Sequence, residues 1–286
     1  LFVVVASTRL QARKAASLAK IKKVEKEAFL DIGDEQHEDY KLVTEPLTLA
    51  RGNIVKGLKE AKYRVSGNMH IGGQDHFYLE GHIAMAKPEE SGDLLILSST
   101  QHPSEVQHMV AKALDLSSNQ VVVRVKRMGG GFGGKETQSN LFAVIAAIAT
   151  HRTGKTVKIR PDRDDDMIMT GKRHSFFVQY EVGFSENGQI IALDAQLSAN
   201  CGYSSDLSGP ITDRALFHSD NCYYYPNVRL TSKPVKTNTV SNTAFRGFGG
   251  PQGMLLAERV IQEIAFFLDK DPLDVRRLNL YGKGEK

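Results

Sequence analysis

Apolar and polar positions repeat with two periods along this chain, and each period predicts its own element. Residues Val121–Lys126, Thr156–Arg160, Phe176–Phe184 and Ile190–Ser198 alternate at period two and read as strands. Leu94–Ser99 reads as a buried strand, and Leu1–Val5 as a short one. Tyr63 to His82 also alternates, broken at Gly72-Gly73. The helical period governs three stretches. One opens at Ser104-Glu105-Val106-Gln107, a capping-box pattern, and runs to Leu114 with Val106, Met109, Val110 and Leu114 as its apolar stripe. The others, Gln138–His151 and Gln252–Leu268, are strongly apolar, and Pro251 suits the first turn of the latter.

A basic helix is expected from Ser7 to Phe29, Asp31–Lys41 reads as a loop, and Asn53–Lys62 stays undecided. Strands and helices mix without a strict alternation, so the fold class is α+β with at least one large sheet. No repeat of solenoid length is visible.

Composition narrows the picture. With 286 residues, 41% apolar and 24% charged, the chain has core enough for one large domain or two modest ones. Its longest apolar run, Leu141–Ala149, is far short of the ~20 residues that cross a bilayer. A net charge of +4 is too mild to mark a nucleic-acid binder. Two cysteines, Cys201 and Cys222, exclude an iron–sulfur cluster ligated within the chain, and a disulfide scaffold, and fit a reducing, cytoplasmic setting.

His70, His76 and His82 recur every six residues. On a strand that spacing separates neighbours by ~20 Å, so the expectation is polar residues on one strand face rather than a shared metal ion.

The chemistry concentrates in an echoed tetrapeptide. Gly131-Phe132-Gly133-Gly134 recurs as Gly247-Phe248-Gly249-Gly250, each time before an apolar helix. Glycines let a backbone approach a ligand closely, and helix N-termini attract anions. Gly129, Gly131 and Gly134 satisfy the dinucleotide fingerprint, but the acidic residue it requires ~20 positions on is absent. Gly129–Lys135 nearly makes a phosphate loop, but Glu136 stands where Ser or Thr must hold magnesium. Phe132 and Phe248 are placed to stack on a flat ring. Glu136 and Arg246 add a charge at each turn, and Arg214 lies in a mostly apolar stretch, where it would either read a heterocycle or form a buried ion pair with Asp213 or Asp220.

Three long segments, Gly72–Glu80, Lys126–Thr137 and Thr243–Gly253, stand in order and span essentially the whole chain. On them the chain resembles the xanthine dehydrogenase/aldehyde oxidase family of molybdenum hydroxylases. The resemblance implies a molybdopterin-binding fold. Residues 1–45 would end an α/β hammerhead domain, and residues 46–286 would be the N-terminal half of the molybdenum-binding region. The cofactor would be a molybdenum–pterin, with or without an added nucleotide, and no side chain would bind the metal directly. Gln101 and the backbone N–H groups of Phe132 and Arg246 would meet its oxygen ligands, with Gly131, Gly133 and Gly247 lining the cofactor. Phe248 would stack on the substrate, and Glu136 and Arg214 would hydrogen-bond it.

Glu and Arg at those two positions resemble the xanthine branch, whose members hydroxylate purines. The alternatives are an oxidase of aldehydes or other N-heterocycles within the family and, outside it, a nucleotide- or RNA-binding module using the basic residues 9–26. The family's general base is not found here, nor are its Fe–S and FAD modules. The expected partners are therefore the C-terminal half of the molybdenum region, Fe–S and FAD domains or subunits, a purine, and a second copy of the assembly, with neither membrane nor nucleic acid. The start at Leu1 suggests a piece of a longer chain, the alternative being a natural split subunit; alone it should be inactive.

Overall fold

The computed structural model describes residues 2–282. Along the chain come α1 (Arg9–Ser17), β1 (Lys41–Leu42), β2 (Leu47–Arg51), α2 (Ile54–Glu60), β3 (Tyr63–Ile71) and β4 (Ala84–Pro88). Then follow β5 (Leu94–Ser98), α3 (Pro103–Leu114), β6 (Val121–Arg124), α4 (Ser139–Thr153), β7 (Val157–Ile159) and α5 (Arg163–Met169). The last are β8 (Phe176–Phe184), β9 (Ile190–Gly202), α6 (Ser208–Phe217), β10 (Asn227–Lys236), α7 (Gly250–Phe267) and α8 (Pro272–Asn279). This is the α+β class the patterns predict. The chain forms two compact units: residues up to Ala28 with His76–Thr170, and Phe29–Asp75 with the residues from Gly171 onward.

In the first unit, four strands run in the order β6-β5-β4-β7. The β5–β6 pair is parallel, with Leu94 opposite Val121, and the other two pairs are antiparallel. Alternate residues of β5 are buried, and Ile96, Val106, Val110, Phe142 and Ala146 are fully buried in one core of sheet, α3 and α4. Parallel pairing sends the chain out of β5 towards Gln101 and out of β6 towards Gly129 at the same edge of the sheet, the carboxyl end where open α/β sheets bind ligands.

The second unit is a six-stranded sheet in the order β1-β10-β9-β8-β3, with β2 on the same edge of β10 as β1. Only β9 and β10 are parallel within it. Val178, Val182, Leu193 and Leu197 are fully buried in a core shared with Val260, Ile261 and Ile264 of α7. The period-two pattern finds β8 to the residue and finds β9 four residues short, since its inward face continues to Cys201.

Five expectations need correction. First, the basic helix is only α1. Thr8 and Gln11 close a capping box at its start, but no α1 residue is buried, so nothing holds a helix beyond Leu18. Its charge is not free either: Arg9 and Arg13 pair with Asp162 at the start of α5. Phe29 ends the exposed stretch by burial against Val235, and its N–H donates to Asn238 Oδ1 at 2.7 Å. Second, residues 2–5 form no strand, and Leu1 of that expectation lies outside the described residues.

Third, the capping box at Ser104 is not used. Pro103 starts α3 one residue earlier and leaves His102 at the cap position. Gln107 instead donates to Ser118 O and Val121 O, at 2.9 and 2.8 Å, and Met109 of the expected stripe is 42% exposed. Fourth, the histidines do not share a strand face. His70 is exposed on β3, while His76 and His82 lie beyond it and are buried. Fifth, strand alternation stops at Ile71 rather than resuming before His82, because residues 72–83 hold only an isolated bridge, Gln74 to Arg173, and side-chain hydrogen bonds such as His82 N–H to Asp166.

Phe29→Ala should remove the anchor, because truncating a buried aromatic costs about 3 kcal/mol or more and strips the cluster of its one buried aromatic side chain. Hydrogen exchange at the Asn238 amide, which donates to Phe29 O at 3.1 Å, should then rise by at least tenfold; unchanged protection would contradict the assignment.

Candidate functional site

The two glycine turns share their backbone at the second and third residues and differ at the first, where Gly247 has φ 98° and Gly131 has no positive φ. Phe132 has φ 54° and Phe248 φ 50°, each followed by a glycine in the same region, Gly133 at 101° and Gly249 at 91°. The N–H of Gly134 donates to Gly131 O at 2.8 Å, and that of Gly250 to Gly247 O at 3.0 Å. Glu136 N–H then donates to Gly133 O and Gln252 N–H to Gly249 O, both at 3.1 Å. A phenylalanine at positive φ is a strained residue, costing of the order of 1–3 kcal/mol, so each turn must be fixed from outside. Each unit does so differently.

In the first unit Gln101 is bound into the turn. Its Oε1 accepts from Gly133 N–H at 2.9 Å and Lys135 N–H at 3.2 Å, and its own N–H donates to Lys135 O at 2.8 Å. With Oε1 taken, Gln101 presents its amide NH2 to any ligand, and so acts there as a donor. A Cβ on Gly131 would collide with Gln101 Oε1, which explains the glycine.

Beneath the turn lies the fully buried Lys135. Its Nζ donates to Glu80 O at 2.7 Å and Ser99 Oγ at 2.9 Å, and lies 3.3 Å from Glu80 Oε2. The same Glu80 oxygen accepts from Ser99 Oγ at 2.6 Å and from Gly129 N–H at 3.0 Å. Glu80 and Lys135 therefore tie both ends of the turn together. Burial pushes the Glu80 carboxyl up, but hydrogen bonds from Ser99 and Gly129 and the Lys135 charge outweigh it and hold it below the usual range. Burial lowers the Lys135 ammonium despite the Glu80 charge.

A second buried group adjoins this one. Asp166 accepts from Tyr78 OH and from His82 N–H, both at 2.6 Å. The His82 ring stacks on Phe142 at 4.8 Å, and neither ring nitrogen has a partner among the described residues. Burial pushes the imidazole down to about 4, with the Asp166 charge opposing.

In the second unit the turn is wedged between helices. A Cβ on Gly249 would strike Ile211 O, and one on Gly253 would strike Ala215 O, so α6 and α7 meet backbone to backbone. Arg173 stacks on Phe245 with its guanidinium 3.9 Å from the ring centroid, and donates to Arg246 O at 2.8 Å. Burial lowers the Arg173 guanidinium below its ordinary range.

The first unit thus brings together Gln101, Gly131, Phe132 and Gly133, with half-buried Glu136 starting the next turn. The second brings Arg214, exposed on α6, to the helix wedged against the turn of Arg246, Gly247 and half-buried Phe248. Arg214 forms no ion pair among the described residues, so the alternative of a buried pair with Asp213 or Asp220 is not what the fold builds. The two sets lie in separate units. Neither the Phe132 nor the Arg246 N–H has a protein acceptor among the described residues. Sequence reasoning missed Glu80, Lys135 and Asp166 as a set, although the near-match to a phosphate loop drew attention to Lys135. That lysine points inward, away from any bound anion.

Comparison with known proteins places this geometry. The family model of the molybdopterin cofactor-binding domain matches residues 35–280. The xanthine dehydrogenase/oxidase of Felis catus is 46% identical over 283 residues, covering 99% of this chain and 21% of that protein. The xanthine dehydrogenase of Dictyostelium discoideum is 43% identical over 284 residues, with the same shares covered. Among solved structures, the aldehyde oxidoreductase from Desulfovibrio gigas superposes with a TM-score of 0.90 at 27% identity, over 98% of this chain and 32% of that one. The chain thus spans about a fifth of the curated relatives it matches.

Lys135→Met should destabilise the first unit by about 1–3 kcal/mol, because it leaves Glu80 and Ser99 without the donor that ties them to the turn. Adding Glu80→Gln should recover part of that loss in denaturant melts, and strict additivity would exclude the coupling. Since the folded His82 titrates below the ordinary 6.5, its contribution to stability is complete above pH 6.5 and is lost as pH falls towards about 4. His82→Leu should remove up to about 1.4 kcal/mol per pH unit of slope from stability measured between those limits.

Proposed function

Because this chain belongs to the molybdopterin cofactor-binding domain family, we propose that it forms one wall of the active site of a molybdenum hydroxylase oxidising xanthine and hypoxanthine. The observation that carries this reading is made in each unit separately: a glycine turn beside which the Phe132 or the Arg246 N–H has no protein acceptor among the described residues, accompanied by Glu136 in the first unit and, in the second, by Arg214, which has no ion pair among the described residues. The residues fit the group: the Gln101 amide NH2 and the Phe132 and Arg246 N–H groups are all hydrogen-bond donors, suited to anionic oxygen. Gly131 and Gly247 make room for Gln101 and Pro251, which lie where a Cβ would be, and so let each turn close beside its N–H groups. When bound, the molybdenum–pterin would supply the oxidation and the oxygen delivered to carbon.

The chain's own residues bind and orient the purine. Phe248 stacks on the ring, a contact worth about 0.5–1.5 kcal/mol beyond its buried area. Glu136 accepts from a ring N–H or hydroxyl, and Arg214 donates to a carbonyl and stabilises the negative charge that builds on the purine. The 46% identity to a xanthine dehydrogenase/oxidase supports this branch. Residues 1–45 would then end a hammerhead domain, with 46–286 the first half of the molybdenum region. The general base, the C-terminal half of that region, and the Fe–S and FAD modules would lie in other parts of a cytoplasmic assembly that dimerises.

In the full-length enzyme, Glu136→Ala or Arg214→Met should lower kcat/KM for xanthine by about 10²–10³, the usual loss of a charge-stabilising donor. An uncharged aromatic aldehyde should lose less than about threefold. Parallel losses for both substrates would move the assignment to the aldehyde-oxidising branch.

A further inference from the structure

The placement of Arg214 is set by backbone contact with the second glycine turn. Its helix, α6, touches α7 where a Cβ on Gly249 would meet Ile211 O and one on Gly253 would meet Ala215 O, so Arg214 is flanked on its own helix by both contact points. His218, just past the end of α6, closes the joint. Its Nδ1–H donates to the carbonyl of Arg214 itself at 2.9 Å, a pairing that fixes the tautomer because a carbonyl only accepts. The other edge of the same ring lies over the turn: a Cβ on Gly250 would be 3.3 Å from His218 Cδ2. Ser219, fully buried, donates to Ala215 O at 2.8 Å and holds the end of α6 from beneath. A helix packed through its carbonyls cannot slide by tenths of an ångström without steric collision, unlike one packed through flexible side chains.

We infer that His218 and Gly253 are positioning residues for substrate selection: they lock α6 onto the Gly-Phe-Gly-Gly turn, and so fix where the Arg214 guanidinium meets a purine stacked on Phe248. This rests on the purine-oxidising function, in which Arg214 and Phe248 touch the substrate; His218 and Gly253 touch neither substrate nor cofactor. The consequence is selective. A ligand recognised through Arg214 feels a shift of α6, whereas a substrate without an acceptor for Arg214 does not.

The test uses the full-length, molybdenum-loaded enzyme with His218→Ala, His218→Asn and Gly253→Ala, and Arg214→Met as reference. The readouts are kcat and KM for xanthine and for benzaldehyde, molybdenum content, and the dissociation constant of xanthine for the same variants freed of molybdenum, by calorimetry. His218→Ala should raise KM and the dissociation constant for xanthine about tenfold, the equivalent of one good hydrogen bond to a charged group, at unchanged molybdenum content. Benzaldehyde kinetics should stay within about twofold. His218→Asn, which keeps a donor, should recover at least half of the loss. Gly253→Ala should reproduce the selective pattern more strongly; should it fail to take up metal, the histidine pair decides alone. Equal losses for both substrates, or no loss in His218→Ala while Arg214→Met is selective, would overturn the inference and leave the purine-oxidising function standing. An unselective Arg214→Met would overturn both.

Discussion

Parallel pairing of β5 with β6 is the constraint on which the first unit's glycine turn depends. Parallel neighbours end at the same edge, so residues 101 and 129–134 meet without a long excursion of the chain. The meeting is then made specific by Gln101, whose single carbonyl oxygen serves two backbone N–H groups of the turn. An antiparallel pair would have put the two segments at opposite ends of the sheet. The positive φ of Phe132 is tolerable only within this frame, since nothing in a free glycine-rich loop compensates the strain of an aromatic there. The same turn geometry recurs at Phe248 under another set of restraints, helix against helix rather than side chain into turn. What the two turns have in common is backbone shape. That shape exposes N–H groups and an aromatic face, while the side chains around it differ.

Lys135 shows why a buried charge is kept where an apolar residue would pack as well. Replacing a buried ion pair with hydrophobic residues is often neutral or stabilising, so the pair is poorly explained by stability alone. Its three acceptors belong to Glu80 and Ser99, and Glu80 in turn receives the N–H of Gly129. A methionine could fill the same volume but would satisfy none of them. The lysine therefore specifies the position of the turn, and it does so at 0% side-chain exposure. The same fact disposes of the phosphate-loop likeness on physical grounds: an ammonium committed to three internal acceptors is not available to an anion outside.

Much of this fold is legible in the sequence, for reasons that particular elements make plain. β8 alternates from Phe176 to Val182 because one face lies on the main core, while on the other Gln179 and Glu181 are the polar positions and Phe177 packs on a second, smaller cluster. α4 and α7 are apolar enough to be found without caps. By contrast α6 begins Ser-Gly-Pro and β10 contains Pro234, so local propensity argues against elements that tertiary packing nonetheless builds. The basic stretch after Ser17 fails in the opposite direction, helical by composition yet with no surface to bury. At the site, the glycine turns and the charged residues beside them stand out by repetition. Glu80 with Lys135, and Tyr78 with Asp166, do not, because these partners lie 55 and 88 positions apart and no local pattern joins them.

The distribution of charge follows a single logic. In the first unit the buried Lys135 and the half-buried Glu80 lie within 3.3 Å of each other beneath the turn, so their charges largely offset and the turn itself presents oriented N–H dipoles. Such dipoles are fixed by the backbone and need no reorganisation when a ligand's charge changes. Arg214 is the opposite case: exposed, on α6, with Asp213 beside it in sequence but no ion pair to a carboxylate among the described residues. A guanidinium already bound to a carboxylate would have little to offer a substrate whose charge grows during reaction, because its field would be largely cancelled before the substrate arrived. Leaving it unpaired makes its position depend on the helix that bears it, since no ion pair holds the side chain. On the proposed function, the rigidity of α6 against the turn, a matter of glycine backbone and one histidine, is therefore what would place the guanidinium for recognition.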